Sequence, residues 1–404
     1  MVSFRSARHD SLATNVERLP FEQVTLRNHP DVPEDFPALD GLRAFAVSSV
    51  LIGHLIPLPT LQKAVGWGDM GVVLFFCLSG FLITNILLKM QPAARSGSRA
   101  TGLKIFYARR FLRIFPIYYL TILFMCLVHY APVRENLFRL LTYSVSFPGL
   151  SGPKSSLGAA SHLWSLSVEE QFYCFWPLIV FFMPRRVLPV ILSGLIFGCL
   201  AYKFMLAEKI VHPFLPENQL YALIFRPITG CLDSLGLGSL AAVMYRNRME
   251  NSTPVLVSAN TLGVAMLAWL GVTVYRISSP INPSFQGYLP FGVAQFFVSA
   301  VAFTTLILYV VEQRNGILSR LLSFRPLRWI ARISYGLYVY HFFMTALVGW
   351  LLSEHIVSSS IKLRYLVIFD FLMTFTVATL SWNLIEKPIL SLKRYFDYAK
   401  TEQA

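Results

Sequence analysis

The chain has 404 residues, of which 55% are hydrophobic and 14% are charged, and its mean hydropathy is +0.56. A soluble domain of this length needs far more polar surface, so the composition excludes an ordinary soluble protein. The net charge of +14 would favour nucleic acid in a soluble chain, but the cytoplasmic loops of membrane proteins also collect Lys and Arg, and we predict no nucleic-acid partner.

Apolar stretches of membrane-spanning length predict an all-α integral membrane protein. We predict one bundle of about ten transmembrane helices over residues 39–390, a polar and weakly ordered leader over 1–38, and a tail over 391–404. The shorter apolar stretch 137–150 is predicted to lie at the membrane interface. The predicted spans are 40–58, 70–90, 111–131, 170–184, 187–206, 219–245, 254–276, 286–311, 330–352 and 364–385.

The distribution of positive charge predicts the orientation of this bundle. With the amino terminus inside, most of the 35 Lys and Arg fall on the inner side, as cytoplasmic loops require. Both termini are therefore predicted to be cytoplasmic, in a multi-pass protein of the plasma membrane, which is the inner membrane if the source is bacterial. Membrane lipid is its expected surrounding partner.

The five cysteines indicate neither a metal centre nor a disulfide framework. All five lie within apolar segments, and no two of them form a C-x-x-C pair. We therefore predict no metal.

The first predicted span carries three ionisable residues, Asp40, Arg43 and His54. Arg43 and His54 are three helical turns apart, so both lie on one stripe of the helix, about 16 Å apart along its axis. A snorkelling arginine and a hydrogen-bonded histidine would explain them structurally. An ionisable group at depth more often lines a functional cavity, and a histidine there can act as a base near neutral pH.

The third predicted span opens with the basic stretch YARRFLR, in which Arg110 and Arg113 share a helix face. Such a stretch is also the ordinary basic edge of a span. Two forked guanidinium groups suit phosphate oxygens, however. Arg110, Arg113 and the nearby Tyr107 are therefore candidates for binding a phosphorylated carrier.

The stretch HLWSLSVEEQFY opens the fourth predicted span with two adjacent carboxylates. Ser167 and Glu170 fit a capping box at the start of the helix, whereas Glu169 has no such structural role. Glu169 is expected at the outer mouth of its helix, where it would orient a histidine or contact a sugar hydroxyl. Trp164 and Ser165 beside it are candidate contacts for a substrate.

Two later spans add buried polar residues. His341 is expected at a depth similar to that of His54 and is a third candidate contact for a substrate. Asp233 lies among small residues in the stretch FRPITGCLDSLGLGSLAAV.

Six stretches, in order, resemble the membrane-bound acyltransferase type 3 family and cover nearly the whole chain from about residue 37. They are LDGLRAFAVSSVLIGH, GVVLFFCLSGFLIT, YARRFLRIFPIYYL, HLWSLSVEEQFY, ISYGLYVYHF and IEKP. The resemblance implies ten spans and transfer of an acyl group, acetyl by family habit, from a coenzyme A thioester to a hydroxyl. In this family the acceptor hydroxyl is usually on a glycan.

The resemblance also implies roles for particular residues. It implies catalytic roles for Arg43, His54 and Glu169, and it places the family's R-x-x-R pair on Arg110 and Arg113.

The chain departs from the family pattern in two respects. Many members have an acid in a G-V-D-L-F-F stretch where this chain has Val73, so the role of that acid is not carried over. Many members also carry an extracytoplasmic hydrolase-like domain. Because the chain ends at residue 404, we expect a standalone form that acts alone or passes its acyl group to a separate extracytoplasmic partner.

Together these features predict an O-acetyltransferase that uses cytoplasmic acyl-CoA as co-substrate. Arg110 and Arg113 would bind the phosphates of the donor, and His54 would remove the proton of the acceptor hydroxyl. Glu169 is expected at the opposite end of the passage from the arginines. Direct transfer is simpler than a covalent intermediate on Ser165 or His54, which the sequence leaves open.

Other functions also fit the sequence. A transporter or flippase for a sugar or a lipid-linked glycan would use the same buried charges without acyl chemistry. A macrolide-like metabolite is an alternative acceptor. A sensor or scaffold would leave the ordered histidines and arginines without a purpose.

Overall fold

Helices form all the regular structure in the described part of the chain, which confirms the prediction that the fold is all-α. The computed structural model describes residues 36–56, 66–96, 99–147, 156–210, 214–215, 217–251, 254–278, 289–353 and 359–396. Most of the predicted leader lies outside these residues, as does the predicted tail beyond residue 396.

Eleven long helices follow one another in the described residues. They are α1 (Pro37–Leu55), α2 (Trp67–Ser96), α3 (Arg99–Leu127), α4 (Trp164–Phe182), α5 (Leu188–Ala207), α6 (Glu217–Phe225), α7 (Leu232–Asn251), α8 (Ala259–Ser278), α9 (Leu289–Glu312), α10 (Arg325–Ser353) and α11 (Ser359–Ser381). Each predicted span overlaps one of these helices, with bounds that differ by up to twelve residues, except that the span predicted over 219–245 is divided between α6 and α7.

Six stretches in the described residues are long and apolar enough to cross a membrane. They are Pro37–Leu55, Trp67–Gln91, Arg99–Leu127, Arg185–Ala207, Leu289–Glu312 and Leu366–Tyr395. These helices support the prediction of a membrane protein. The number of ten spans and the cytoplasmic termini remain predictions.

In its described residues, the stretch predicted to lie at the interface contains one short helix, Leu137–Leu141, which follows another, Ala131–Glu135. Helices of five residues are far too short to cross a bilayer. Phe138 and Leu141 are exposed, as suits apolar side chains at the edge of a membrane.

The break between α6 and α7 follows from Pro227. Proline lacks an amide hydrogen and disfavours helical geometry in the residue before it, so α6 ends at Phe225. A single 3₁₀ turn, Ile228–Gly230, precedes the start of α7. Arg226 and Gly230 of this segment line a cavity.

The central helix is α2, which packs against α1, α4, α7 and α9. It approaches α7 closely because each helix presents a glycine to the main chain of the other. A Cβ at Gly80 would overlap the Leu235 carbonyl, and a Cβ at Gly238 would overlap the Cys77 carbonyl. Small residues allow this kind of close approach between helices in membranes.

The predicted capping box at Ser167 and Glu170 is wrong. Helix α4 begins at Trp164 as the continuation of a 3₁₀ helix over Gly158–Leu163, and it has no side-chain cap. Ser167 lies inside the helix and its hydroxyl donates to the Leu163 carbonyl at 3.2 Å. The preceding 3₁₀ turn therefore replaces the helix start on which the prediction depended.

The close approach of α2 and α7 predicts the effect of a small substitution. We expect Gly80→Ala to lower the free energy of unfolding by about 1–3 kcal/mol, because the added methyl must push the two helices apart. The measurement is the thermal unfolding midpoint of the protein in detergent.

Gly194→Ala is the matched control, because a Cβ at Gly194 in α5 would have no neighbour within 4 Å. We expect this variant to keep the wild-type midpoint or to raise it slightly, since alanine favours helix more than glycine does. Equal midpoints for the two variants would contradict the close packing at Gly80.

Candidate active site

Two cavities lie at different levels of α1 and α10. The smaller one, which we call the arginine cavity, has a volume of about 130 Å³, and its polar lining residues are Asp40, Arg43, Arg113, Arg332, Tyr335 and Glu386. The larger one, which we call the histidine cavity, has a volume of about 240 Å³ and includes His54, Asp69, His162, Trp164, Lys203 and Arg226 in its wall. Arg43 in the arginine cavity precedes His54 in the histidine cavity by eleven positions along α1.

His54, which lines the histidine cavity, forms a hydrogen-bonded pair with His341, which is not among the residues that line it. His54 Nδ1 lies 3.1 Å from His341 Nε2, and His341 Nδ1 lies 2.7 Å from the main-chain oxygen of Tyr338. His341 is fully buried, whereas His54 is exposed. The structure thus brings together the two histidines that were predicted at similar depth.

The polarity of this pair determines which atom of His54 can accept a proton. A carbonyl only accepts, so His341 Nδ1 must carry the hydrogen, and the Nε2 atom of a neutral His341 must accept from His54 Nδ1. A neutral His54 is then unprotonated at Nε2. A Cβ built on Gly68 would lie 3.2 Å from this Nε2, and both residues line the histidine cavity. The geometry supplies a base at the cavity wall.

His162 completes a group of three histidine rings. It precedes α4, its ring centroid lies 4.7 Å from that of His341, and its Nε2 donates to the Val339 carbonyl at 3.1 Å. Burial, together with the neighbouring His54, lowers the pKa of His162 to about 3, so this ring is neutral at physiological pH. Sequence reasoning placed His162 near Glu169 but gave it no role.

The structure does not present these histidines as metal ligands. Among the described residues, no group of three or more His, Cys, Asp or Glu side chains has an arrangement that would hold a metal ion.

Glu169 lies in a network that connects α2, α3 and α4. Its carboxylate accepts a hydrogen bond from Ser79 at 2.5 Å, and the Ser79 hydroxyl lies 3.0 Å from that of Tyr173. The Arg110 guanidinium stacks on the Tyr173 ring at 5.2 Å and interacts electrostatically with Glu169.

Two expectations about Glu169 are corrected by these contacts. Glu169 lies beside Arg110, not at the opposite end of the passage, and its hydrogen bond is to Ser79, not to a histidine. The reason is geometric, because α4 begins at Trp164 and Glu169 therefore lies more than one turn inside the helix.

The arginine cavity gathers charges from four helical segments. Arg43 donates to Asp40 at 2.7 Å, and Arg113 interacts electrostatically with Arg43, Arg110 and Glu386. Glu386 ends a π-helical turn over Trp382–Glu386, a feature that is frequent at functional sites. The excess of guanidinium groups over carboxylates suits the phosphates of an anionic ligand.

The other predicted site residues are distributed unevenly. Trp164 lines the histidine cavity. Ser165 is buried. Its hydroxyl forms hydrogen bonds with the Tyr338 hydroxyl and with the His162 carbonyl. Tyr107 donates to the Cys174 carbonyl at 2.7 Å and is not among the residues that line the arginine cavity.

Sequence reasoning missed several polar residues of the two cavities. Arg332 and Glu386 line the arginine cavity, whereas Asp69, Lys203 and Arg226 line the histidine cavity. Glu386 lies within the IEKP stretch, and Arg226 directly precedes a proline, so the sequence did carry a signal for each of them.

Comparisons with known proteins agree with these features. A family model described as an acyltransferase domain matches residues 36–383 of the chain. The chain is 30% identical over 379 residues to "Peptidoglycan O-acetyltransferase OatA" of Listeria monocytogenes, which covers 87% of this chain and 55% of that protein. It is 26% identical over 374 residues to "O-acetyltransferase OatA" of Staphylococcus aureus, which covers 88% of this chain and 57% of that protein.

The chain thus spans little more than half the length of these curated relatives. No solved structure matches it significantly.

The hydrogen-bond polarity predicts the tautomer of His54. In its neutral form, we expect His54 to carry its proton on Nδ1, the less usual tautomer, because His341 Nε2 accepts that proton. Nitrogen-15 NMR of histidine-labelled protein in detergent measures this directly.

His341→Phe is the matched variant, because it keeps a ring but removes the acceptor. We expect the His54 signals in this variant to shift towards the tautomer protonated on Nε2. Protonation of His54 on Nε2 in the unmodified protein would show that the pair is oriented differently.

Proposed function

The chain belongs to the acyltransferase type 3 family, and from that membership we propose that it is an integral-membrane O-acetyltransferase. It moves an acetyl group from acetyl-CoA to a hydroxyl group of a glycan or a related acceptor. The observation that carries this proposal is the hydrogen bond between His54 Nδ1 and His341 Nε2, in which the His54 ring lies at the wall of the histidine cavity. The relatives whose names describe O-acetyltransferases support the reaction type.

His54 acts as the general base. Its Nε2 takes the proton of the acceptor hydroxyl while the oxygen attacks the thioester carbonyl, and the coenzyme A thiolate leaves and recovers that proton. The charge that His54 acquires is stabilised through its Nδ1–H bond to His341, which the Tyr338 carbonyl orients in turn. His341 is therefore a positioning residue and not an acceptor contact.

The donor binds from the arginine cavity. The phosphates of acetyl-CoA pair with Arg43 and Arg113, and the thioester arm extends along the bundle towards His54. Arg110 stands one turn from Arg113, where it stacks on Tyr173 and interacts with the charge of Glu169. In this proposal Glu169 positions the arginines, and Arg43 binds the donor.

Direct transfer is favoured over an intermediate on Ser165. The described contacts of the Ser165 hydroxyl are with the Tyr338 hydroxyl and the His162 carbonyl, neither of which is a base that would activate it.

The proposed topology has ten spans with both termini in the cytoplasm. The arginine cavity then faces the cytoplasm, where acetyl-CoA is found, and the histidine cavity lies towards the outer side of the plasma membrane, where a surface glycan is accessible.

The test is the release of free coenzyme A by the purified protein, given acetyl-CoA and candidate hydroxyl acceptors. Acetylated acceptor should accumulate in step with free coenzyme A. Movement of a glycan across proteoliposomes without consumption of acetyl-CoA would overturn the proposal in favour of a transporter.

His54 provides the sharpest prediction. We expect His54→Ala to lower the transfer rate by about 10²–10⁴-fold, the usual contribution of a general base. The measurement is acetyl transfer by purified protein at saturating acetyl-CoA.

His129→Asn is the control, because His129 is an exposed histidine in a left-handed conformation that asparagine also tolerates. We expect this variant to keep its activity. Wild-type turnover by His54→Ala would remove His54 from the mechanism.

Arg113 provides a prediction on donor binding. We expect Arg113→Ala to raise the Kd for acetyl-CoA at least about tenfold, because a charge-assisted bond to phosphate is lost. Arg325→Ala, which removes an exposed arginine of α10, is the control and should leave the Kd unchanged. Equal donor affinity in both variants and the wild type would defeat phosphate binding at the arginine cavity.

A further inference from the structure

The main chain is broken where it lines the histidine cavity. Arg226 and the 3₁₀ turn after it occupy the gap between α6 and α7, and both Arg226 and Gly230 line the cavity. A bundle helix that is interrupted at a cavity typically marks a ligand site, because only there does the unwound main chain avoid lipid.

Three residues with full charges line this cavity in the described part of the chain, namely Asp69, Lys203 and Arg226. Lys203 is fully buried and is matched by Asp233, whose carboxylate lies 2.6 Å from its ammonium nitrogen. The charge of Lys203 is thus offset within the protein.

The two remaining charged residues, Asp69 and Arg226, do not form an exclusive ion pair with each other. Asp69 interacts most strongly with Arg276, a residue outside the cavity lining, and only less strongly with Arg226. Arg226 is half-buried, and among the described residues its guanidinium donates no hydrogen bond to a side chain. The cavity therefore presents one cation in excess of the anions around it.

Arg226 and His54 share one cavity of about 240 Å³. This volume lies just below the range of about 300–1,000 Å³ that small-molecule sites occupy, so the cavity admits one sugar-sized unit. We therefore expect a hydroxyl at His54 and an anionic group at Arg226 to belong to the same unit.

We propose that Arg226 binds an anionic group of the acceptor, so that the substrate is a hydroxyl-bearing unit that also carries a carboxylate or a phosphate. This proposal rests on the proposed function. The forked guanidinium suits either group, and the hydroxyl of the same unit faces Nε2 of His54.

The first experiment identifies the acceptor in cells of the source organism. Mass spectrometry of glycans and other esterified molecules compares a strain that lacks the gene with its parent. We expect the missing acetyl ester on a unit that carries a carboxylate or a phosphate, and the spectrum distinguishes the two. A missing ester on a neutral unit would overturn this inference and leave the proposed function intact, whereas the absence of any missing ester would overturn the proposed function itself.

The second experiment complements that strain with variants of Arg226. We expect Arg226→Gln to reduce the restored ester about tenfold or more, and Arg226→Lys to retain a larger part, because it keeps the charge. Arg134→Gln, which removes an exposed arginine outside the cavity, should restore the ester fully. Full restoration by Arg226→Gln would overturn the inference.

A purely structural role for Arg226 is tested by a double variant. If Arg226 served only to balance the charge of Asp69, the change Asp69→Asn would rescue Arg226→Gln. We expect no rescue, at protein levels matched by immunoblot. Recovery of the ester in the double variant would overturn binding by Arg226.

Discussion

An ionisable side chain inside an apolar bundle is stable only when a partner offsets its charge, and this constraint shapes the interior of the protein. Lys203 and Asp233 satisfy it directly, at 2.6 Å, between α5 and α7. Glu169 satisfies it through Ser79 and the charge of Arg110. Such partners lie on different helices, so each pair also fixes how those helices are packed.

Close packing of the central helix makes this arrangement possible. Gly80 and Gly238 let α2 and α7 approach until main chain meets main chain. The same helix α2 carries Ser79 to Glu169 on α4 and Asp69 to the histidine cavity. The close approach that Gly80 and Gly238 allow thus helps to determine where the polar side chains of α2 lie.

Periodicity in the sequence predicted much of the fold and part of the candidate site. The eleven-residue spacing of Arg43 and His54 placed them on one stripe, and the structure gives each of them a cavity at its own level. Helix boundaries were less predictable, because the start of α4 depends on a 3₁₀ turn that has no clear sequence signal. The partners of Glu169 depend on which helices pack against α4. The spacing of residues along one helix does not reveal this packing.

The break between α6 and α7 is an example of a sequence signal that can be interpreted only with the structure around it. Pro227 alone indicates only that a helix ends, and within an apolar span it is compatible with a simple kink. The structure places the unwound residues against the same space as His54. A break there exposes polar main chain to that space instead of to lipid, which is the condition under which such a break is stable. The proline that ends α6 therefore stands between two residues that line the histidine cavity, Arg226 and Gly230.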